Sequence, residues 1–496
     1  MSTDIASPSP EPGGSLRQRA TQGVLWTALE KWSVRVSTLI GFILLGRLLE
    51  PQEFGVVALA MTFITILAIV SDAGFTTYLV QLQRLTSTIA STAFYISVAL
   101  GAVLAVLLAA LSGPVSALLD TPRLQPILAA LAISLFITGL ASVPAALMQK
   151  EMRFRELALR QVVATVLSVA VAIALAFAGA GAWALVAQTL VRVTISTIVL
   201  WATAGFRPQW TFSIPEMRVM SAFGAKSLGA QLANAMRGQS EVFIIGALAG
   251  TTALGLWTVA QRLVQVIVEV CTSVFSTVAH PVFARLQTDP PRLSRALGTA
   301  QASGALVLVP VLACLSLTSG QVVPAVFGQQ WEPAAVLASI MAVRSLVVAM
   351  STFSRSAFLA TGHPGTELLV TLVLLAGQLG LVLAFADDLL LLAVVLTAWS
   401  AFALPLRAVL LHRLLKISAR TYEAPARVLL AGGVATAAVL GVQQLAELDG
   451  WGYVAFVALL GGTVYLAVVF LIARSVVLDL GQSLRGAVGR RGAAKS

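Results

Sequence analysis

Fourteen apolar segments, each near the roughly twenty residues that a helix needs to cross a bilayer, decide what this chain can fold into. In the first half they are Gly23–Leu45, Phe54–Gly74, Ile89–Leu111, Leu124–Ala146, Leu157–Phe177, Ala182–Thr203 and Ala225–Leu248. In the second they are Ala253–Val278, Leu297–Thr318, Pro333–Ser354, Leu368–Phe385, Leu389–Leu411, Val428–Ala446 and Gly452–Ala473. The runs are continuous rather than alternating at period two, which excludes barrel strands. Only 11% of the residues are charged and 58% are hydrophobic, against about a quarter charged in a soluble domain. So few charges cannot cover an aqueous surface, so lipid is the solvent for most of the chain. The fold class is an all-α membrane protein.

The net charge of +11 would suggest nucleic acid in a soluble protein. Here the location of the charges matters more, and no nucleic-acid partner is expected. With the N-terminus inside, 23 of the 32 basic residues fall in the cytoplasmic parts or at cytoplasmic helix ends, two (Arg47 and Arg123) fall outside, and seven lie well inside spans. That bias places both termini in the cytoplasm. The outer connections are short, so there is no room for the external catalytic domain of a membrane polymerase or ligase. Cys271 and Cys314 have no metal-site spacing, and Gly224-Ala-Lys226-Ser227 lacks the glycine of a phosphate loop, so no cofactor is expected.

An internal repeat is legible. Gly46, Leu48, Gly55 and Ala60 recur as Gly246, Leu248, Gly255 and Ala260 at a constant offset of 200 residues. Both stretches join the first helix of a six-helix set to its second. The expected organisation is a polar tail (1–20), an N-lobe (21–204), a linker (205–224) and a C-lobe (225–411). Two added helices (412–473) and a basic tail (474–496) follow. Because six is even, the lobes are related by a pseudo-two-fold along the membrane normal.

Charges inside the spans mark the candidate site. Lys31, Arg35, Arg192, Lys226, Arg237, Arg262 and Arg344 each cost a few kcal/mol at the bilayer centre unless they face water or a partner. Lys226, near a helix end, reads as snorkelling to the interface. Polar neighbours recur at steps of three and four: Thr27, Lys31, Arg35 and Thr38; then Gln231, Asn234, Arg237 and Glu241; then Gln261, Arg262, Gln265, Glu269 and Thr272. One polar face on each helix suggests a central cavity. The expected binding set is Lys31, Arg35, Arg192, Asn234, Arg237, Arg262, Gln265 and Arg344. Glu30, Asp72, Glu241 and Glu269 are expected as counter-ions or coupling carboxylates. The surplus is positive, and the guanidinium fork suits phosphate oxygens. An anionic substrate follows; Arg192 and Arg344 also admit a purely structural role beside acids. Asp387 and Asp388 read as a solvated cap on an outer turn.

Several local sequences resemble polysaccharide flippases of the Wzx type, in the multidrug/oligosaccharidyl-lipid/polysaccharide exporter superfamily. Gly46-Arg-Leu-Leu-Glu-Pro51-Gln-Glu-Phe54-Gly55 is similar to their helix 1–2 connection, and Ser71-Asp72-Ala-Gly74-Phe75 to the end of their second helix. Gln149-Lys-Glu-Met152-Arg-Phe-Arg155, Phe327-Gly328-Gln-Gln-Trp331-Glu-Pro333-Ala334, and Glu241-Val-Phe-Ile-Ile245-Gly246 with Leu254-Gly255-Leu-Trp257 extend the resemblance. This chain has Glu241 and Trp257 where the family usually has Asp and Tyr. The resemblance implies undecaprenyl-pyrophosphate-linked oligosaccharide as substrate, in O-antigen, capsule, exopolysaccharide or teichuronic-type pathways of a bacterial cytoplasmic membrane. It implies alternating access and no enzymatic step, with polysaccharide polymerase and chain-length machinery as partners of a monomeric transporter. The rival readings are a drug or metabolite antiporter of the same superfamily, disfavoured by the arginine surplus, a polymerase or ligase, and a passive assembly scaffold.

Overall fold

A computed structural model describes residues 16–82, 85–272, 283, 286, 289–444 and 450–474, and all regular structure among them is helical. The helices are α1 (Leu16–Leu48), α2 (Pro51–Asp72), α3 (Phe75–Gln81), α4 (Ser87–Leu118), α5 (Leu124–Lys150), α6 (Phe154–Phe177), α7 (Ala182–Ala204) and α8 (Ile214–Leu248). There follow α9 (Gly250–Thr272), α10 (Pro290–Phe327), α11 (Glu332–Ala360), α12 (Pro364–Phe385), α13 (Leu389–Leu415) and α14 (Glu423–Gln443). The last described span is α15 (Gly450–Phe456), a π-helical turn (Val457–Gly461) and α16 (Gly462–Ile472).

Twelve helices among the described residues are long and apolar enough to cross a membrane. The other two expected spans correspond to α1 and α8, which are 33 and 35 residues long and carry Lys31, Arg35, Arg237 and Glu241. These interior charges dilute their hydropathy. Two boundaries differ from the expectation. Helix α1 already begins at Leu16, inside the expected tail, and α8 begins at Ile214, inside the expected linker. Ser213 and Pro215 start α8 early: the Ser213 hydroxyl accepts from the Glu216 N–H at 3.5 Å, and proline suits the first turn.

Local chemistry sets other ends. Before α2, the Glu50 N–H donates to Glu53 Oε2 at 2.9 Å and Pro51 opens the first turn. The helix stops where Ala73 and Gly74 adopt left-handed φ values of 46° and 73°. Asp388 accepts the N–H groups of Leu390 and Leu391 at 3.0 Å, so one of the adjacent acids Asp387 and Asp388 is a helix cap.

The chain forms two compact units, Met1–Gly255 and Leu256–Ser496. In the first, α4 packs on α5, α6 on α7 and α1, and α5 also on α2 and α7, while α8 packs on α2 and α3. Small residues permit close crossings: a Cβ on Gly101 would lie 2.7 Å from the Leu135 carbonyl oxygen, and one on Gly139 2.7 Å from that of Ser97. The segment 205–213 is strapped to the start of α4, where the Gln209 and Ser213 N–H groups donate to the hydroxyls of Ser91 and Thr92 at 2.9 and 3.1 Å. In the second unit, α10 packs on α11 and α14, α13 on α11 and α12, and α16 on α14.

The 200-residue repeat has a structural counterpart inside the first unit. A Cβ on Gly55 would overlap the carbonyl oxygen of Thr251, and one on Gly255 would overlap that of Pro51. The two contacts exchange under the same offset, which is the signature of a local two-fold relation.

Candidate functional site

On α1, Lys31 is exposed, while Glu30 and Arg35 are half-buried. Glu30 is attracted to Lys31 and, across the packing of α1 on α6, to Arg160. The Arg35 guanidinium lies 5.8 Å from the ring centroid of Trp32. A second such contact ties the helices, with Arg155 of α6 5.3 Å from the ring of Trp26. Arg192, midway along α7, is half-buried and has no hydrogen bond or ion pair among the described residues.

On α8, Arg237 is exposed while Glu241, one turn further on, is only 4% exposed. The side chains of Asn234 and Lys226 lie outside the described residues. Gln239, between Arg237 and Glu241, accepts a hydrogen bond of 3.2 Å from the buried Thr62 hydroxyl of α2.

The polar face of α9 comes together as its spacing implies. Gln265 Nε2 donates to Glu269 Oε1 at 2.9 Å, and the Arg262 guanidinium stands 4.0 Å from the same oxygen. Glu269 is therefore held between a cation and an amide. Arg344 on α11 is half-buried. Of the five midspan arginines, Arg35, Arg192 and Arg237 belong to the first unit, and Arg262 and Arg344 to the second. Trp257, at the position where the resemblance expects tyrosine, is fully buried, and its indole N–H has no hydrogen-bond partner among the described residues.

Two polar clusters were not legible in the sequence. Glu367, in the first turn of α12, is 3% exposed. Its Oε1 accepts from Arg407 of α13 at 2.8 Å and from Thr371 at 3.1 Å, and Arg355 of α11 stands at 3.8 Å. Arg407 is 8% exposed and paired. The other cluster surrounds Asp72, where Ser71, Thr76, Thr138 and Ser142 line a common cavity. A separate cavity of about 310 Å³ in the second unit is apolar, lined by Pro310, Leu317, Gly432, Val439, Gly461 and Tyr465 of α10, α14 and the last span.

Residues 44–336 match the family described as "Polysaccharide biosynthesis protein". The chain is similar to the succinoglycan biosynthesis transport protein ExoT of Rhizobium meliloti, with 27% identity over 67% of this chain and 68% of that one. It is also similar to the teichuronic acid biosynthesis protein TuaB of Bacillus subtilis, with 26% identity over 70% of this chain and 73% of that one. Among solved structures, the lipid II flippase MurJ in an inward closed conformation shares the fold. Its TM-score is 0.72 over 92% of this chain and all of that one, at 11% identity.

Proposed function

This chain belongs to the polysaccharide biosynthesis protein family and is a multi-pass membrane transporter, and from that premise we propose that it flips an undecaprenyl-pyrophosphate-linked oligosaccharide from the cytoplasmic to the outer leaflet. The observation that carries the reading is the cationic surplus within the spans, and Arg192 above all. A partly buried guanidinium in a membrane helix is costly unless an anion or water meets it, and Arg192 has neither hydrogen bond nor ion pair among the described residues. A pyrophosphate supplies the missing charge in a form that the planar fork binds well.

In this reading Lys31, Arg35, Arg192, Asn234, Arg237, Arg262, Gln265 and Arg344 receive the head group in a wet chamber. Glu30, Glu241 and Glu269 moderate the field so that the anion is released after transfer. The apolar cavity framed by α10, α14 and α16 suits an isoprenoid chain. Both termini are cytoplasmic, and movement follows alternating access between repeats, as inverted or parallel repeats allow in other transporters. No bond is made or broken. A cationic drug would meet repulsion from the same groups, which disfavours the antiporter reading.

The test is translocation of a fluorescent undecaprenyl-pyrophosphate oligosaccharide in vesicles. Arg192→Gln and the triple variant Arg35→Gln, Arg237→Gln, Arg262→Gln should fold and lose most transport. Full transport by both folded variants rejects the assignment.

A further inference from the structure

The connection between α7 and α8 is tied to the protein on one side and exposed on the other. Residues 205–213 run beside the second turn of α4, where the Gln209 N–H donates to Ser91 Oγ at 2.9 Å and the Ser213 N–H to Thr92 Oγ1 at 3.1 Å. Between them the Thr211 N–H donates to the Gln209 carbonyl at 2.7 Å. The apolar run of α4 begins at Ile89, so the segment lies at the rim of the hydrocarbon layer. Non-helical backbone is tolerated at that depth where its polar groups have partners, and these three N–H groups have them.

The side chains between the anchors are not covered in the same way. Trp210 is 96% exposed, and Phe212 and Ile214 are each more than half exposed. The Trp210 ring is set 6.0 Å from that of Tyr95 on α4, at an interplanar angle of 27°. A tethered backbone thus holds a tryptophan, a phenylalanine and an isoleucine outward. Rings at this level belong to the membrane–water interface, where an amphipathic side chain meets both phases.

Charge divides along the same line. Arg207 and Arg218 are exposed. Glu216, the one acid between residues 205 and 224, acts instead on the Tyr78 hydroxyl of α3. Glu216, Met220 and Phe223 follow at steps of four and three along one face of α8. Met220 is fully buried, and the Phe223 ring lies 5.4 Å from that of Tyr78. Ile214 and Arg218 stand on the opposite face. The outward surface therefore combines apolar groups with two cations, and the carboxylate of the stretch is on the other side. Water would leave the apolar groups unmet, and a neutral lipid surface would offer the arginines no net charge. Anionic headgroups above acyl chains meet both needs.

We propose that Arg207, Trp210, Phe212, Ile214 and Arg218 form a binding surface for anionic phospholipid, on the side that the proposed orientation makes cytoplasmic. Bound lipid holds the start of α8, the helix that carries Arg237 and Glu241, to the leaflet surface. The inference goes beyond the flippase reading, and its test needs no transported lipid.

The experiment is quenching of Trp210 fluorescence in the purified full chain in nanodiscs, taken as the difference between the unsubstituted protein and Trp210→Phe. The discs hold phosphatidylcholine and phosphatidylglycerol in equal parts, with bromine on the acyl chains of one or the other. Bromine should quench the Trp210 emission, and more strongly when phosphatidylglycerol carries it. An arginine beside an anionic surface is worth about fivefold in lipid affinity. Arg207→Gln and Arg218→Gln should each lower the preference for phosphatidylglycerol by about that factor, with the unfolding temperature unchanged. Quenching by aqueous iodide in place of bromolipid puts the ring in water and overturns the proposal. Equal quenching by the two brominated lipids overturns it as well, and so does an undiminished preference in the double variant.

Discussion

Gly55 and Gly255, 200 residues apart, each pack against the carbonyl oxygen of the residue four before the other, Thr251 and Pro51. The starts of α2 and α9 therefore cross backbone on backbone, a distance that no side chain permits. Gly55→Val and Gly255→Val should each lower stability by about 1–3 kcal/mol or more, the range of an overpacked contact. The reciprocal geometry further requires the two losses to be alike. Thermal unfolding of the two purified variants checks this, and a neutral substitution at either position contradicts it.

Glu367 and Arg407 form a buried ion pair, with side chains 4% and 9% exposed. Removing one partner of such a pair costs about 3–5 kcal/mol, whereas replacing both by apolar groups of similar size is far milder. Glu367→Leu and Arg407→Met should each sharply reduce the yield of folded protein, and the double variant should recover much of it. A double-mutant cycle on the unfolding temperature measures the coupling. Additive losses would show that the pair does not hold α12 to α13.

Arg262 and Glu269 present the opposite case. Their side chains are 41% and 35% exposed and the pair stands at 4.0 Å, so its contribution to stability is about 0–1 kcal/mol. Glu269→Gln should leave the unfolding temperature nearly unchanged while altering the rate of lipid transfer, by strengthening the hold of Arg262 on the anion. The expected signature is tighter binding of the lipid-linked substrate with slower turnover. A large drop in stability with normal transport would mark the residue as structural.

Asp387 and Asp388 should behave differently although they are adjacent and both exposed. Asp388 caps α13 through two backbone N–H groups, so Asp388→Ala should cost about 0.5–2 kcal/mol. Asp387→Ala should cost almost nothing. Chemical or thermal unfolding of the pair of variants distinguishes them, and equal effects would refute the cap.

The sequence by itself determined the class of solvent, the helical character and the repeat. Hydropathy sums over consecutive residues, and Gly55 and Gly255 stand in a pattern that a constant offset exposes. It also determined the face shared by Arg262, Gln265 and Glu269, because helical periodicity places neighbours three, four and seven residues apart on one side. Tertiary structure alone decided the partners of Glu367, 40 residues from Arg407, and the hydroxyls that α5 brings to Asp72. Which face of one helix meets which face of another depends on rotation and depth in the bilayer. Lipid rewards every apolar face alike, so hydropathy carries no record of that choice. It is set by the close fit of small residues such as Gly101 and Gly139 and by the few polar groups that must find one another.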